Sequence, residues 1–212
     1  MRRVRGVIFD CDGVLFESRE ANLAYYNTVF ERCGFAPVQV DDEDKMRICH
    51  TRSTPEVFRL LLEPLQAQQA LTVAKNLDYK QFTPLMVPEP DLLEVLEVLF
   101  QDRPLAVATN RGRGARDLLA FFNLERYFTT IVSSADVERP KPSPDMLLLA
   151  ARRLGFDSGE LLFIGDSELD YQAAEEAGMP FVGYKNRFSN GTSVNSHREL
   201  LRLLGVDGAS PQ

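Results

Sequence analysis

Two aspartates lie two residues apart near the start of the chain, directly after the apolar run Val7–Phe9. If the chain is extended there, the side chains of Asp10 and Asp12 point to the same side of it. Neighbouring carboxylates repel each other, and this raises their pKa values unless a cation lies between them. The pair therefore predicts a cationic partner: a divalent metal ion, a lysine or both.

Three later segments carry further polar groups at the ends of predicted strands. They are Thr109-Asn110, then Lys141-Pro142, then Gly165-Asp166-Ser167 with Asp170 nearby. The carboxylates of Asp10, Asp12 and Asp166 are the oxygen ligands that Mg²⁺ prefers, with water and phosphate as the remaining ligands. A lysine such as Lys141 can act as a point charge on phosphate. These residue types favour phosphoryl transfer, a reaction that depends mostly on positioning and charge stabilisation.

The elements that must position these groups alternate between strands and helices. The predicted strands are short and apolar throughout, as expected for a parallel sheet that is covered on both faces. Helical patterns with clear end signals lie between them, which indicates βαβ units and a doubly wound, Rossmann-like α/β sheet. The predicted strands are Val4–Phe9, Leu105–Ala108, Thr130–Ser133, Leu161–Ile164 and Phe181–Gly183.

The region from Phe16 to Val87 has a different pattern. It contains long helical patterns and no convincing strand, and a proline-rich return follows it. We therefore predict a helical domain inserted after the first strand, with residues 17–87 as the insertion and residues 1–16 and 88–212 as the sheet domain. The predicted helices are Ser18–Cys33, Thr54–Gln69 and Leu71–Phe82, and a stripe of Val57, Leu60, Leu61 and Leu65 is expected to form the core of the insertion.

Composition narrows the class of partner and the compartment. The formal net charge of −7 over 212 residues argues against nucleic acid as the main partner, but it does not exclude a small anionic substrate. No apolar stretch reaches transmembrane length, so we expect no membrane partner. The cysteines at positions 11, 33 and 49 form no CxxC pair, which favours free thiols and a cytoplasmic location. The sequence leaves the oligomeric state open.

Taken together and in this order, the four polar segments resemble the motifs of the haloacid dehalogenase-like hydrolase superfamily. Within it they are most similar to the phosphoglycolate phosphatase/β-phosphoglucomutase-like branch. The resemblance covers the whole sheet domain, and the helical insertion lies where that branch carries its small α-helical cap. It implies a phosphatase that acts on a small phosphorylated metabolite, either phosphoglycolate-like or a sugar phosphate, through an aspartyl-phosphate intermediate.

The resemblance also implies a role for each motif residue. Asp10 matches the nucleophile, and Asp12 matches the general acid/base that protonates the leaving oxygen and later activates water. Thr109 matches the hydroxyl that holds the transferring phosphoryl group, with help from the backbone amide of Asn110. Lys141 matches the cation that bridges the nucleophile and the phosphoryl oxygens.

A magnesium site follows from the same resemblance. The carboxylates of Asp10 and Asp166 and the backbone carbonyl of Asp12 match its protein ligands. Asp170 matches an outer-shell carboxylate that steadies bound water. Mg²⁺ is therefore the expected cofactor.

Recognition of the leaving group is expected to involve less specific residues. The segment His50–Ser53 falls at the position of the cap loop that contacts the leaving group in this branch, so His50 or Arg52 could bind it. Arg52 could instead form only a salt bridge within a cap helix. Arg111 and Arg113 follow the second motif and could add positive potential for an anionic substrate, or be ordinary surface arginines. Away from the site, we expect Cys11 to be buried and inert and His197 to lie on the surface.

Other functions on this fold remain as alternatives. A phosphomutase of the β-phosphoglucomutase type would need the cap to retain a bisphosphate, and the cap loop lacks the glycine that commonly begins it. A non-catalytic binding or regulatory protein would not need the complete set of Asp10, Asp12, Lys141 and Asp166. A haloacid dehalogenase is disfavoured by the aspartate at position 12, and a phosphonatase by the lack of an assignable cap lysine.

Overall fold

A parallel sheet lies at the centre of the molecule, as the apolar runs predict. The computed structural model describes residues 4–112, 114–185 and 191–206, and in these residues the sheet has six strands in the order β5-β4-β1-β6-β7-β8. Every neighbouring pair is parallel. The strands are β1 (Gly6–Phe9), β4 (Leu105–Thr109), β5 (Thr130–Ser133), β6 (Leu161–Gly165), β7 (Phe181–Tyr184) and β8 (Thr192–Val194).

The order of the strands places the start of the chain at the middle of the sheet. From β1 the chain goes to β4 and β5 on one side, and it then crosses to β6 on the other side. The carboxyl end of β1 is therefore the point at which the strand order reverses, where open α/β sheets bind their ligands. The short and partly exposed edge strand β8 was not predicted, because its three residues carry no continuous apolar run.

Helices cover both faces of the sheet, which confirms the doubly wound α/β class. On β1, Ile8 packs with helices α7 and α8, whereas Val7 and Phe9 face α5, α6, α9 and the inserted helices. This alternation along one strand builds two hydrophobic clusters, one on each face. The helices are α5 (Leu92–Asp102), α6 (Gly114–Phe121), α7 (Asp145–Leu154), α8 (Glu168–Ala177) and α9 (His197–Leu203).

The insertion is helical, but its helices differ from those predicted. They are α1 (Arg19–Cys33), α2 (Glu43–Thr51), α3 (Thr54–Leu61) and α4 (Pro64–Lys75), followed by a 3₁₀ segment, Tyr79–Leu85. The predicted helix Thr54–Gln69 is wrong because Pro64 begins a new helix, with Glu63 and Gln66 forming its capping box. The predicted helix Leu71–Phe82 is also wrong, since α4 ends at Lys75.

Two further features of the insertion differ from what the sequence predicts. Helix α2 was not predicted because it is mostly polar and buries only Cys49, so it shows little apolar periodicity. Of the predicted core stripe, Val57 is buried, but Leu60 and Leu65 are 51% and 82% exposed. A continuous stripe cannot form across the break between α3 and α4.

Two short strands join the insertion to the sheet domain. β2 (Phe16–Glu17) and β3 (Val87–Pro88) pair antiparallel, with Phe16 opposite Pro88 and Glu17 opposite Val87. Beside them, the backbone amide of Glu89 donates to the carbonyl of Leu15 over 3.0 Å. The expectation that this region contains no strand is therefore wrong at its two ends. Strands of two residues are too short to produce a sequence pattern.

None of the described helices is both long enough and apolar enough to cross a membrane.

Candidate active site

A cavity of about 790 Å³ lies between the carboxyl edge of the sheet and the inserted helices. Four strands that are adjacent in the sheet, β5, β4, β1 and β6, are each followed by a segment that reaches it. Every residue that the sequence predicts for the site lines this cavity except Asp170, which lies behind it, and Arg113, which is outside the described residues. The lining residues from that prediction are Asp10, Asp12, His50, Arg52, Thr109, Asn110, Arg111, Lys141 and Asp166.

Lys141 joins two carboxylates at the floor of the cavity. Its Nζ lies 2.8 Å from Oδ1 of Asp10 and 2.5 Å from Oδ1 of Asp170, and it also donates to the carbonyl of Ala108 over 3.1 Å. The side chain of Lys141 is only 2% exposed. Burial alone would lower the pKa of Lys141, but Asp10 and Asp170 raise it above its ordinary value, so the ammonium stays charged.

Asp170 has both carboxylate oxygens engaged. Oδ1 accepts from Lys141, while Oδ2 accepts from the backbone amide and the hydroxyl of Ser167 over 3.0 and 2.5 Å. These contacts form the capping box at the start of α8. Gly165 makes this approach possible, because a Cβ at position 165 would lie 2.4 Å from the Cβ of Asp170. Asp170 therefore lies where its carboxylate can orient Lys141.

The environment of Asp10 opposes its charge. Burial, followed by the charges of Asp170 and Asp166, raises the pKa of Asp10 to about 8, although Lys141 acts in the opposite direction. One lysine is thus not enough to keep Asp10 fully ionised at neutral pH. A further cation beside Asp10 would favour the anionic form that a nucleophile needs.

The carboxylates are arranged so that they could hold such a cation. One oxygen from each of Asp10, Asp166 and Asp170 lies within 4.8 Å of the other two. Gly13 leaves room for Asp166, because with φ at +78° a Cβ at position 13 would lie 2.1 Å from Oδ2 of Asp166. A set of carboxylate oxygens fits a hard ion such as Mg²⁺. Since Asp170 already bonds to Lys141 and Ser167, Asp10 and Asp166 are the carboxylates best suited to direct contact.

The side chain of Asp12 faces a different partner. Arg111 Nε donates to Oδ2 of Asp12 over 3.2 Å, and Arg111 Nη2 donates to Oδ1 over 2.5 Å. The side chains of Asp12 and Arg111 are 12% and 6% exposed, respectively, so Arg111 is not an ordinary surface arginine. Burial alone would raise the pKa of Asp12, but Arg111 outweighs it and lowers the pKa below its ordinary value.

Asn22 is a site residue that the sequence did not indicate. Its Oδ1 accepts from Arg111 Nη2 and from the hydroxyl of Tyr79, both over 3.1 Å. Its amide nitrogen faces Nδ1 of His50 at 3.4 Å. Asn22 lies in α1, ten residues after Asp12, and no motif marks it. Its burial is set by the packing of α1 over the sheet, so the local sequence carries no signal that could have identified it.

The second motif, Thr109-Asn110, connects the sheet domain to the insertion. The hydroxyl oxygen of Thr109 accepts from the backbone amide of Arg111 over 3.1 Å. The Asn110 side chain accepts from the amide of Lys141 and donates to its carbonyl, over 3.0 and 3.1 Å, and it also donates to the carbonyl of Thr51 over 3.0 Å. Asn110 therefore orients the lysine loop and contacts the end of α2.

His50 and Arg52 reach the cavity from the insertion. His50 Nε2 lies 3.7 Å from Oδ2 of Asp166 in a buried contact. Burial would lower the pKa of His50, but Asp166 and then Asp12 raise it above the ordinary value. Arg52 lines the cavity and also pairs with Glu56, with 3.8 Å between Nη1 and Oε1. The structure is thus compatible with both roles considered for Arg52, which are binding of the leaving group and a salt bridge within the insertion.

Two expectations away from the site have different outcomes. Cys11 is fully buried, as predicted. The prediction that His197 lies on the surface is wrong, because this residue is also fully buried. Its Nε2 lies 2.8 Å from the carbonyl of Val14, and its ring packs against that of Tyr184 at a tilt of 35°, with 4.8 Å between centroids. The polar residues around it in sequence concealed its position at the inner face of α9.

Comparisons with known proteins agree with this architecture. The sequence model described as "Haloacid dehalogenase-like hydrolase" matches residues 7–184. A solved hydrolase of the haloacid dehalogenase superfamily from Geobacter sulfurreducens is 39% identical, with a TM-score of 0.76, over 96% of this chain and 97% of that one.

Curated relatives carry a more specific name. The phosphoglycolate phosphatase of Escherichia coli is 38% identical over 119 residues, which cover 51% of this chain and 47% of that protein. The match thus spans about half the length of that relative. The phosphoglycolate phosphatase of Salmonella typhimurium is 26% identical over an alignment that covers 100% of this chain and 97% of that protein. These matches confirm the resemblance predicted from the motifs, and the chain belongs to the haloacid dehalogenase-like hydrolase family.

Proposed function

We propose that this protein is a Mg²⁺-dependent phosphatase that hydrolyses a small phosphorylated metabolite through an aspartyl-phosphate. The observation that supports this best is the buried contact of Lys141 with Asp10 and Asp170, beside Asp166 and at the switch point of the sheet. A nucleophile, a phosphate-binding cation and oxygen ligands for a metal ion are thereby gathered around one cavity.

In the first half of the reaction, a carboxylate oxygen of Asp10 attacks phosphorus. The bond between that oxygen and phosphorus forms while the ester P–O bond breaks, and Asp12 gives its proton to the leaving alcohol oxygen. Lys141 and the Thr109 hydroxyl bind the phosphoryl oxygens, which carry negative charge throughout. The products of this half are the free alcohol and phosphorylated Asp10.

In the second half, water replaces the aspartyl oxygen. The carboxylate of Asp12 takes a proton from a water molecule as the water oxygen bonds to phosphorus. The bond between phosphorus and the oxygen of Asp10 breaks, and inorganic phosphate leaves. Asp10 is again a carboxylate, and Asp12 is again protonated for the next turnover.

The residues that would hold Mg²⁺ are Asp10 and Asp166 through their carboxylates and Asp12 through its backbone carbonyl. Asp170 would act from the outer shell. When bound, the ion would neutralise phosphoryl charge and favour the ionised form of Asp10. Asp170, which accepts from Ser167, would keep Lys141 in place beside the ion.

We propose that residues 17–87 form a cap that covers the leaving group. His50, Arg52 and Asn22 reach the cavity from this segment, and the β2–β3 pair lies where it joins the sheet domain. The substrate would be phosphoglycolate-like or a sugar phosphate; the relatives named phosphoglycolate phosphatase favour the first. Cys11, Cys33 and Cys49 are free, which is compatible with a cytoplasmic location.

Phosphate release with and without a chelator tests this function. Purified protein is assayed with 2-phosphoglycolate and with an aryl phosphate, in MgCl₂ or in EDTA. We expect turnover only with Mg²⁺ and none from Asp10→Asn, which keeps the shape of the side chain but loses the anionic nucleophile. Asp117→Asn is the matched control, because Asp117 is exposed and pairs only loosely with Lys80, at 3.7 Å.

The other functions give different results in the same assay. A phosphomutase would isomerise a sugar phosphate without net phosphate release. A binding protein would release no phosphate from any ester. Near-normal hydrolysis by Asp10→Asn would overturn the nucleophile assignment.

A further inference from the structure

The last turn of α2 brings a histidine of the insertion next to a carboxylate of the sheet domain. Nε2 of His50 lies 3.7 Å from Oδ2 of Asp166, and the two side chains are 9% and 11% exposed. The residue after this histidine is tied to the sheet domain, because the carbonyl of Thr51 accepts from the Asn110 side chain over 3.0 Å. The end of α2 is therefore held at the place where His50 meets Asp166.

The contacts of Asn22 indicate which nitrogen of His50 carries the hydrogen. Oδ1 of Asn22 accepts from Arg111 and from the hydroxyl of Tyr79, so the amide nitrogen is the atom that faces His50. This nitrogen can only donate, and it lies 3.4 Å from Nδ1 of His50. In the neutral ring, Nδ1 is thus the acceptor and Nε2 carries the hydrogen. The charged ring also has a hydrogen on Nε2, so the donor is present in either state.

The hydrogen on Nε2 lacks an acceptor. Among the residues that the structure describes, this buried nitrogen makes no hydrogen bond. Its distance of 3.7 Å from Asp166 exceeds the roughly 2.7–3.2 Å of an N–H···O bond, and a movement of about 0.5–1 Å would complete one. Because a buried donor without an acceptor is costly, formation of this bond would be favoured.

A carboxylate that binds a metal ion benefits from such a bond. Ligating carboxylates commonly accept a hydrogen bond from a residue outside the coordination sphere, which fixes their orientation. At this site Lys141 contacts Asp10 and Asp170 in that way. For Asp166, the corresponding donor from the insertion is His50.

We propose that His50 is a positioning residue for the metal site: its Nε2 donates to Asp166 and holds that carboxylate in the orientation that binds Mg²⁺. This inference rests on the proposed Mg²⁺-dependent function, and it gives His50 a role other than contact with the leaving group. Loss of Asn22 would leave the donor in place, because the carboxylate of Asp166 favours the same tautomer.

The coupling acts in both directions. If the contact between His50 and Asp166 strengthens Mg²⁺ binding by some factor, Mg²⁺ strengthens that contact by the same factor. Binding of the ion should therefore hold α2 more firmly against the sheet domain. This effect can be measured on the protein without substrate or turnover.

The first test measures the Kd for Mg²⁺ by isothermal titration calorimetry in wild type, His50→Phe and His50→Gln. Phenylalanine keeps the size and planar shape of the ring but has no donor, whereas glutamine carries an N–H group at about the position of Nε2. We expect the Kd to rise by at least about 10-fold in His50→Phe, as is typical when a residue that orients a metal ligand is lost. The Kd of His50→Gln should lie closer to that of wild type. A purely structural role predicts the reverse order, because phenylalanine preserves the packing better.

The second test is hydrogen exchange of the backbone amides of α2, with and without MgCl₂. Mg²⁺ should slow this exchange in wild type and in His50→Gln but not in His50→Phe. If His50→Phe fails to fold, wild type and His50→Gln still give this result. Arg47→Gln is the matched control for both tests, since it removes a positive charge from the same helix at a position that is 72% exposed and pairs with Asp44. It should behave as wild type.

The outcomes separate this inference from the function on which it rests. An equal or lower Kd in His50→Phe than in wild type would overturn the positioning role and leave the phosphatase assignment intact. The same conclusion would follow if Mg²⁺ did not slow exchange of α2 in wild type, or if Arg47→Gln raised the Kd as much as His50→Phe. If wild type neither binds Mg²⁺ nor releases phosphate from 2-phosphoglycolate or the aryl phosphate, the proposed function fails, and the inference fails with it.

Discussion

Nζ of Lys141 lies 2.8 Å from Oδ1 of Asp10 in a pair that is almost closed to solvent, with the two side chains 2% and 10% exposed. Asp170 shares the same ammonium. Burying three charged groups is costly, and their mutual attraction offsets that cost only while all three are present. The stability of the folded protein therefore depends on Lys141, a residue whose proposed role is catalytic.

Replacing Lys141 by Met should destabilise the protein as well as inactivate it. The substitution keeps much of the side-chain volume but leaves two buried carboxylates without their cation. We expect the free energy of unfolding at neutral pH to fall by about 3–5 kcal/mol, as is typical when one partner of a buried pair is removed. Urea denaturation followed by circular dichroism measures this. Lys80→Met, at an exposed position, should change it by less than about 0.5 kcal/mol.

Replacing Asp166 by Ala should weaken metal binding independently of turnover. The loss removes one of the two carboxylates best placed to contact the ion, so we expect the Kd for Mg²⁺ to rise by at least about 10-fold. Isothermal titration calorimetry on the protein without substrate measures this directly. Asp117→Ala removes an exposed carboxylate and should leave the Kd unchanged. A wild-type Kd in Asp166→Ala would show that the ion, if it binds, does so elsewhere.

Much of the sheet and its motifs could be predicted because the governing signals are local. Apolar runs of four or five residues specify buried strands, and the polar groups of Asp10, Thr109 and Asp166 directly follow such runs. In a parallel sheet these groups must meet at one edge. The same reasoning gave the helices that begin and end with clear caps, such as α8.

The remaining features depend on contacts between distant parts of the chain. The inward position of Asn22 follows from the way α1 packs over the sheet, and the buried position of His197 follows from the docking of α9. The β2–β3 pair forms only because the two ends of the insertion meet. Arg111 binds Asp12 across 99 residues of sequence, and no local pattern reports that separation.

Buried His197 should make stability depend on mildly acidic pH. Burial lowers the pKa of His197 below its ordinary value of 6.5, although the Val14 carbonyl and Glu89 act in the opposite direction. Its Nδ1 has no hydrogen-bond partner within the part of the chain that the structure describes. The unfolded chain therefore takes up a proton at a higher pH than the folded protein does. The stability that neutral His197 provides is complete above about pH 7 and is lost as the pH falls through the unfolded pKa, by up to about 1.4 kcal/mol per pH unit.

His197→Gln tests this dependence, because glutamine can still donate to the Val14 carbonyl but does not titrate in this range. We expect the loss of unfolding free energy between pH 7.5 and pH 5.5 to be smaller in the variant than in wild type. The other histidine, His50, is present in both proteins, so its contribution cancels in the comparison. Urea denaturation at the two pH values gives the result. An equal loss in both proteins would mean that His197 does not contribute.

Asn22 should matter for turnover although it has no direct role in the chemistry. Asn22→Leu keeps the approximate volume but removes the acceptor of Arg111 Nη2 and Tyr79 and the amide that faces His50. Without these contacts, Arg111 and His50 lose their fixed positions over the two aspartates. We expect kcat on 2-phosphoglycolate to fall by about 10- to 100-fold, the range seen when a residue that orients a site is lost. The Kd for Mg²⁺ should change much less, because Asn22 is not one of the residues that would hold the ion. Asn76→Leu, at the exposed end of α4, is the matched control and should retain wild-type kcat. If Asn22→Leu keeps wild-type kcat while remaining folded, the hydrogen bonds between the insertion and the sheet domain are not needed to align the site.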